Sequence, residues 1–89
     1  MNHDEVWNFL KRAILEIFPE YANREIGFEV SLKALGANSV DRAEILMITL
    51  EALRLKVSMV EFSQAKNIGE LVSILHHHYI KAHLSLEPK

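Results

Sequence analysis

Residues 34–48 read ALGANSVDRAEILMI and contain the features on which the predicted fold depends. Gly36 gives the backbone the freedom that a tight turn requires. Asn38 and Ser39 both belong to the residue types whose side-chain oxygen caps the start of a helix. An apolar run follows them at once, so the stretch predicts a turn, a helix start and a long apolar helix, with Ser39 at its beginning.

The predicted second helix runs from Ser39 or Val40 to about Arg54. Its core face is a set of apolar residues at helical spacing, namely Ala43, Leu46, Leu50 and Leu53. The rest of its circumference is also unusually apolar, through Ile45, Met47, Ile48 and Ala52. A surface helix normally has a more polar back, so this helix is predicted to offer a partner an apolar surface.

The N-terminal part of the chain predicts a first helix over about residues 3–18. One apolar stripe contains Val6, Leu10, Ala13, Ile14 and Ile17, and it is widened by Trp7, Phe9 and Phe18. Pro19 ends the helix, because the residue before a proline is disfavoured in the helical conformation. Asp4 and Glu5 suit the positive end of the helix dipole.

Residues 20–38 lack a clear period but carry apolar residues, so we expect a long connection packed across the helices, with a helical turn around residues 31–35. A β-hairpin is the alternative, since IGFEVSL (residues 26–32) alternates apolar and polar residues. No other segment offers partner strands.

The remaining sequence predicts a short helix near residues 60–65 and a final helix over about residues 68–83. The core stripe of the final helix consists of Leu71, Val72, Leu75, Tyr79 and Ala82. The predicted fold is all-α: a small antiparallel four-helix bundle, with three main helices, one short helix and a long first loop. Residues 1–89 form a single domain with an ordered core over 3–83 and a frayed C-terminus over 84–89.

Composition excludes several classes of protein. The chain is 49% hydrophobic and 25% charged, as globular domains are. It has no cysteine, and therefore no disulfide, thiolate metal site or cysteine nucleophile. Its formal net charge is −2 with scattered basic residues, which argues against nucleic-acid binding. The acidic N-terminus is unlike a signal peptide, and no apolar run is long enough to span a membrane. We expect a soluble, cytoplasmic monomer.

The residues around Ser39 favour two interpretations. Ser39 or Asn38 caps the helix and nothing more, or the serine is displayed to another protein. Gly36 and Ala37 leave little bulk beside its hydroxyl. A partner protein could dock beside the serine on acidic and apolar side chains. These are Val40, Asp41, Glu44, Met47 and Ile48.

Catalysis and metal binding are poorly supported by the remaining polar residues. Adjacent residues of a helix point about 100° apart, so His76, His77 and His78 cannot converge on one metal ion, and a solvated helix face is expected. Ser39 lacks the G-x-S-x-G elbow of hydrolases. No catalytic residue and no metal ligand is predicted.

Residues 35–53, LGANSVDRAEILMITLEAL, resemble the signature of acyl and peptidyl carrier proteins, L-G-x-D-S-L-D followed by an acidic and apolar helix. The order and length of the predicted elements match that family along nearly the whole chain. The resemblance implies a non-catalytic carrier. A separate phosphopantetheinyl transferase would attach 4′-phosphopantetheine from coenzyme A to Ser39, and the thiol of this arm would carry acyl groups as thioesters.

The resemblance also implies how partner enzymes are recognised. Asp41 and Glu44 fall where family members meet basic patches, and Val40 and Met47 fall where apolar residues make contact. Two departures concern partner choice: Asn38 replaces the usual aspartate, and Arg42 stands where many members have a neutral residue. A third is Leu50, which replaces a residue that is often acidic.

GANSVDRAEI (residues 36–45) followed by EALRLKV (residues 51–57) further resembles the discrete carriers of polyketide β-branching cassettes. This narrower resemblance implies an acyltransferase, a ketosynthase-like decarboxylase and a 3-hydroxy-3-methylglutaryl (HMG) synthase-like enzyme as partners, with acetyl as the donated group. A stand-alone polyketide or fatty-acid carrier, and an unmodified helical interaction module, remain the alternatives.

Overall fold

The structure, a computed structural model, describes residues 1–86. Its α-helices are α1 (His3–Ile17), α2 (Ser39–Ala52) and α3 (Ile68–Leu86). Two short 3-10 helices, Pro19–Tyr21 and Met59–Phe62, follow α1 and α2. The all-α fold is confirmed, although the predicted fourth helix is only the 3-10 helix Met59–Phe62. Helix α3 extends past residue 83, and the last part of the predicted frayed end, 87–89, lies outside the described residues.

The start of α1 is fixed by a residue that the sequence pattern did not indicate. Asn2 is the N-cap: its side chain accepts a hydrogen bond of 2.9 Å from the Glu5 amide. In return, the Glu5 carboxylate accepts one of 3.1 Å from the Asn2 amide. This reciprocal pair satisfies two amides that have no partner within the helix. The helix ends at Ile17, one residue before the predicted end and two before Pro19.

The hydrophobic core lies between α1 and the other two α-helices. The predicted stripe of α1 is buried at Val6, Leu10, Ala13 and Ile14, and that of α3 at Leu71, Val72 and Leu75, together with Ile68. Ile17, Tyr79 and Ala82 are partly buried and pack against this core. Burial of these side chains is the main favourable contribution to folding.

The core face of α2 matches the predicted one at Leu46, Leu50 and Leu53 but differs at its other positions. Ala43 is only half-buried, whereas Ile45 is fully buried and Thr49 lies beside it in the core. A threonine is tolerated there because its hydroxyl donates a 2.8 Å hydrogen bond to the Ile45 carbonyl. The residues buried from this segment are Ile45, Leu46, Thr49, Leu50 and Leu53.

The long connection between α1 and α2 is packed against the helices, as predicted. The backbone amides of Ile68 and Gly69 donate hydrogen bonds of 2.8 and 2.9 Å to the carbonyls of Val30 and Phe28. The Leu35 amide donates to the Ser31 carbonyl at 3.3 Å, which forms the expected helical turn. Residues 1–86 contain no strand, so the β-hairpin alternative is wrong.

The end of α2 requires a left-handed backbone conformation at a residue other than glycine. Arg54 has φ 56°, and its amide donates to the Glu51 carbonyl at 3.1 Å. The Leu55 amide donates to the Leu50 carbonyl at 2.8 Å, and both leucines are buried. These two bonds form a Schellman motif, in which glycine is the usual left-handed residue.

We expect Arg54→Gly to raise the free energy of unfolding by up to about 1 kcal/mol, because a side chain disfavours this conformation. The greater freedom of glycine in the unfolded chain offsets part of the gain. Urea denaturation measures the effect. Lys56→Gly is the control: Lys56 does not have a positive φ, so this change should lower stability. A loss of stability in Arg54→Gly would contradict the explanation.

Candidate functional site

A glycine turn directs the chain into α2. Gly36 has φ 101°, a conformation that other residues rarely adopt, and its amide donates to the Lys33 carbonyl at 3.0 Å. A Cβ atom at this position would meet nothing within 4 Å. Glycine is therefore required here for the backbone conformation and not for space. The next residue, Ala37, is buried and anchors the turn in the core.

The helix is capped by Asn38, which leaves Ser39 outside the capping interaction. The Asn38 side chain accepts a 2.8 Å hydrogen bond from the Asp41 amide, and the Asp41 carboxylate accepts a 3.1 Å bond from the Asn38 amide. Ser39 is the first residue of α2 and is exposed. Within residues 1–86 its hydroxyl has no hydrogen-bond partner. The serine is therefore displayed at the positive end of the helix dipole.

Three of the six predicted recognition residues face outward along α2. Val40 is 70% exposed, Met47 is 59% exposed, and Glu44 lies exposed between them. Their spacing places them on one side of the helix. We call Val40, Glu44 and Met47 the outer surface. Val60 on the second 3-10 helix is a further apolar residue with 67% exposure, which the sequence analysis did not single out.

The other three predicted recognition residues hold the helix start together. Asn38 and Asp41 form the cap. Arg42 is half-buried, and its Nη1 donates a 2.9 Å hydrogen bond to the Ala37 carbonyl. Ile48, expected beside Met47, packs partly buried against the core. The apolar and acidic surroundings of Ser39 are thus smaller than the sequence suggested.

The histidines of α3 make contacts that the predicted solvated face did not include. The His76 ring stacks on His3 with centroids 4.1 Å apart, and its Nε2 lies 2.9 Å from the Met1 carbonyl oxygen. His78 lies 3.5 Å from the Glu61 carboxylate. His77 alone of the three is exposed. Among residues 1–86, no three histidine or acidic side chains are grouped closely enough to hold a metal ion.

The sequence of the chain matches a known protein family. A family described as "Phosphopantetheine attachment site" matches residues 8–75, which include both the glycine turn and α2. The chain belongs to the phosphopantetheine-attachment family of carrier proteins. Proteins of this family carry a 4′-phosphopantetheine group, and they serve as carriers rather than as catalysts.

Two relatives of this carrier protein are particularly informative. It is 42% identical over 76 residues to the polyketide biosynthesis acyl-carrier-protein AcpK of Bacillus subtilis (strain 168), covering 85% of this chain and 93% of the relative. It also matches a chain in the crystal structure of the curacin biosynthetic pathway HMG synthase in complex with acetyl donor-ACP. The TM-score is 0.79 with 40% sequence identity, over 84% of this chain and 96% of the other.

The start of α2 fits the phosphopantetheine group of this carrier family. Ser39 offers an exposed hydroxyl, and the turn before it has open space around Gly36. The first amides of a helix and its dipole favour an attached phosphate. The bound group supplies a thiol on a flexible arm.

Within residues 1–86, no helix combines the length and hydropathy of a membrane-spanning segment.

Because Asn38 caps the helix and Ser39 does not, replacing each by alanine should change the free energy of unfolding by different amounts. Asn38→Ala should lower the free energy of unfolding by about 1 kcal/mol, because the Asp41 amide loses its acceptor. Ser39→Ala should change it by less than about 0.5 kcal/mol, as is usual for surface substitutions without a partner. Urea denaturation of the unmodified protein measures both. Asn38→Asp keeps the acceptor oxygen, so the free energy of unfolding of this variant should be close to that of the original protein. A larger loss in Ser39→Ala than in Asn38→Ala would mean that Ser39 caps the helix.

Proposed function

We propose that Ser39 is the residue to which 4′-phosphopantetheine is attached and that the chain itself catalyses no step. The observation that carries this proposal is the exposed Ser39 hydroxyl, which is free because Asn38 does the capping. A transferase must reach the oxygen directly, and a serine bound in its own helix cap would present a less accessible oxygen. The transferase supplies the magnesium ion and the base.

The residues of this chain then position and stabilise the attached group. Asn38 and Asp41 fix the direction in which α2 begins, and Arg42 holds the preceding turn through the Ala37 carbonyl. The phosphate lies at the helix N-terminus, where its negative charge is favoured. The arm therefore starts from a rigid position while its far end remains free to reach several enzymes.

The attachment residue is tested by intact mass after incubation with coenzyme A and a broad-specificity phosphopantetheinyl transferase. We expect a mass gain of one phosphopantetheine, which disappears in Ser39→Ala. The control is Ser73→Ala, because Ser73 is an exposed serine of α3 and should leave the gain unchanged. No gain in the original protein, or a gain that persists in Ser39→Ala, would refute the proposal.

We further propose that the carrier donates acetyl to an HMG-synthase-like enzyme in polyketide β-branching. Support comes from the similarity to the chain of the curacin complex, which extends over 96% of that chain at 40% identity. An acyltransferase and a ketosynthase-like decarboxylase are the proposed partners that load and prepare the acetyl group. Fatty-acid synthesis is the alternative, but its carriers are strongly acidic and this chain has a net charge of only −2.

The outer surface is the proposed contact for the synthase, because apolar anchors contribute most of the energy of such interfaces. Met47→Ala should lower kcat/KM for acetyl transfer to a cassette HMG synthase roughly 5- to 20-fold, a loss of 1 to 2 kcal/mol. Ile80→Ala is the control: it removes another exposed apolar side chain, which lies on α3.

An acetyl-loaded fatty-acid carrier provides the second comparison and should be a poorer donor than this protein. Two results would argue against the β-branching role. One is equal transfer from both carriers, and the other is no change in Met47→Ala while the phosphopantetheine mass gain is intact.

A further inference from the structure

A pocket of about 540 Å³ lies between the end of the long connection, α2, the second 3-10 helix and the start of α3. Its apolar lining consists of four buried residues, Leu32, Leu46, Phe62 and Leu71, and the partly buried Ala65. Three cationic side chains also line it, those of Lys33, Arg42 and Lys66. No aspartate or glutamate of the described chain lines the pocket, although the protein has more acidic than basic residues.

The cationic groups of this pocket lack carboxylate partners. The ion pair found among residues 1–86 joins His78 and Glu61, so neither Lys33 nor Lys66 has a carboxylate within 4.0 Å of its ammonium group. Arg42 uses one N–H for the Ala37 carbonyl, and a guanidinium has further donors. Glu70 lies close in sequence, but its carboxylate accepts a hydrogen bond from the Lys66 backbone amide at 3.0 Å.

The N-terminal end of α3 adds to the positive potential of the pocket. Asn67 immediately precedes the first residue of α3 and lines the pocket. Its side-chain oxygen accepts a 2.9 Å hydrogen bond from the Glu70 amide, as an N-cap does. The positive end of a helix dipole therefore faces the same space as the three cations. An apolar interior with a cationic edge suits a ligand that is apolar along its length and anionic at its end.

The pocket lies next to Ser39 without including it. Arg42 follows Ser39 by three residues, so the two side chains are neighbours on the helix surface. Ser39 itself is not among the lining residues. A phosphate bonded directly to the Ser39 oxygen is therefore held outside the pocket, whereas the far end of a flexible arm can enter it. This favours the cargo over the phosphate as the anion that is bound.

We propose that this pocket binds the terminal carboxylate of a dicarboxylic acyl group carried on the protein's own arm, with Lys33, Arg42 and Lys66 as the carboxylate-binding residues. The inference rests on the proposed modification of Ser39. Charge-assisted hydrogen bonds from these cations stabilise the carboxylate, and the leucines and Phe62 cover the methylene groups. An acyl group of the same length without the carboxylate gains only the apolar contacts.

The test compares succinyl- and butyryl-loaded protein, made by transferring the acylated arms from the corresponding coenzyme A thioesters. The succinyl group carries ¹³C in its free carboxylate, and intact mass verifies full loading before each titration. Nearby cations stabilise the charged form, so we expect the pKa of this carboxylate to lie about one unit below that in free succinyl-pantetheine. Backbone amides around Leu46 and Phe62 should shift more with succinyl than with butyryl.

Lys33→Gln combined with Lys66→Gln should remove most of the pKa difference and leave Arg42 in its contact with Ala37. The control is Lys56→Gln combined with Lys81→Gln, which removes the same charge from exposed residues that do not line this pocket. It should keep the difference. A carboxylate with the same pKa on the protein and in free solution overturns the proposal. So does a difference of undiminished size after the change at Lys33 and Lys66. Failure to load at Ser39 would instead refute the proposed function.

Discussion

The reciprocal hydrogen bonds between Asn38 and Asp41 are the interaction on which the rest of the site depends. They make Asn38 the cap and Ser39 the first residue of α2. If Ser39 were the cap, its hydroxyl would accept a hydrogen bond from an amide of the first turn and would be less accessible to another protein. The capping box therefore determines the display of the serine, whereas Val40, Glu44 and Met47 share one side of α2 because of their helical spacing.

The two sides of α2 near its start differ in charge. The side of α2 that bears Val40 and Met47 is exposed, largely apolar, and carries the free acid Glu44. The side that bears Arg42 and Leu46 faces the pocket, where cations predominate. In the two proposals made above, the first side is the contact for partner enzymes and the second is the contact for the acyl group that those enzymes act upon.

The sequence predicted the fold well where a repeating pattern was available and less well where single contacts decided the outcome. The stripe of α1 and that of α3 were buried as expected, because several apolar residues at helical spacing define a face. The face of α2 was predicted in part: Leu46, Leu50 and Leu53 are buried as expected, but the face also includes Ile45 and the polar Thr49, while Ala43 is only half-buried. Only the hydrogen bond of Thr49 to Ile45 makes that burial favourable, and no pattern indicates it in advance.

The candidate site was predictable in position but not in the roles of its residues. Asn38 and Ser39 were both suitable caps, and their distinction depends on backbone geometry. Arg42 was expected among the residues that partners read, and its contact with the Ala37 carbonyl joins positions five residues apart. The exposure of Val60 was not predicted, because a single turn of 3-10 helix has too few residues to define an exposed side.

The attachment of the long connection to α3 has a consequence for how such proteins diverge. The bonds from Ile68 and Gly69 to Val30 and Phe28 join backbone atoms only. Side chains along the connection can therefore change through evolution without loss of these ties, as long as its length and few apolar anchors remain. Sequence identity can then fall to about two residues in five while the chain path is retained, as the TM-score of 0.79 at 40% identity illustrates.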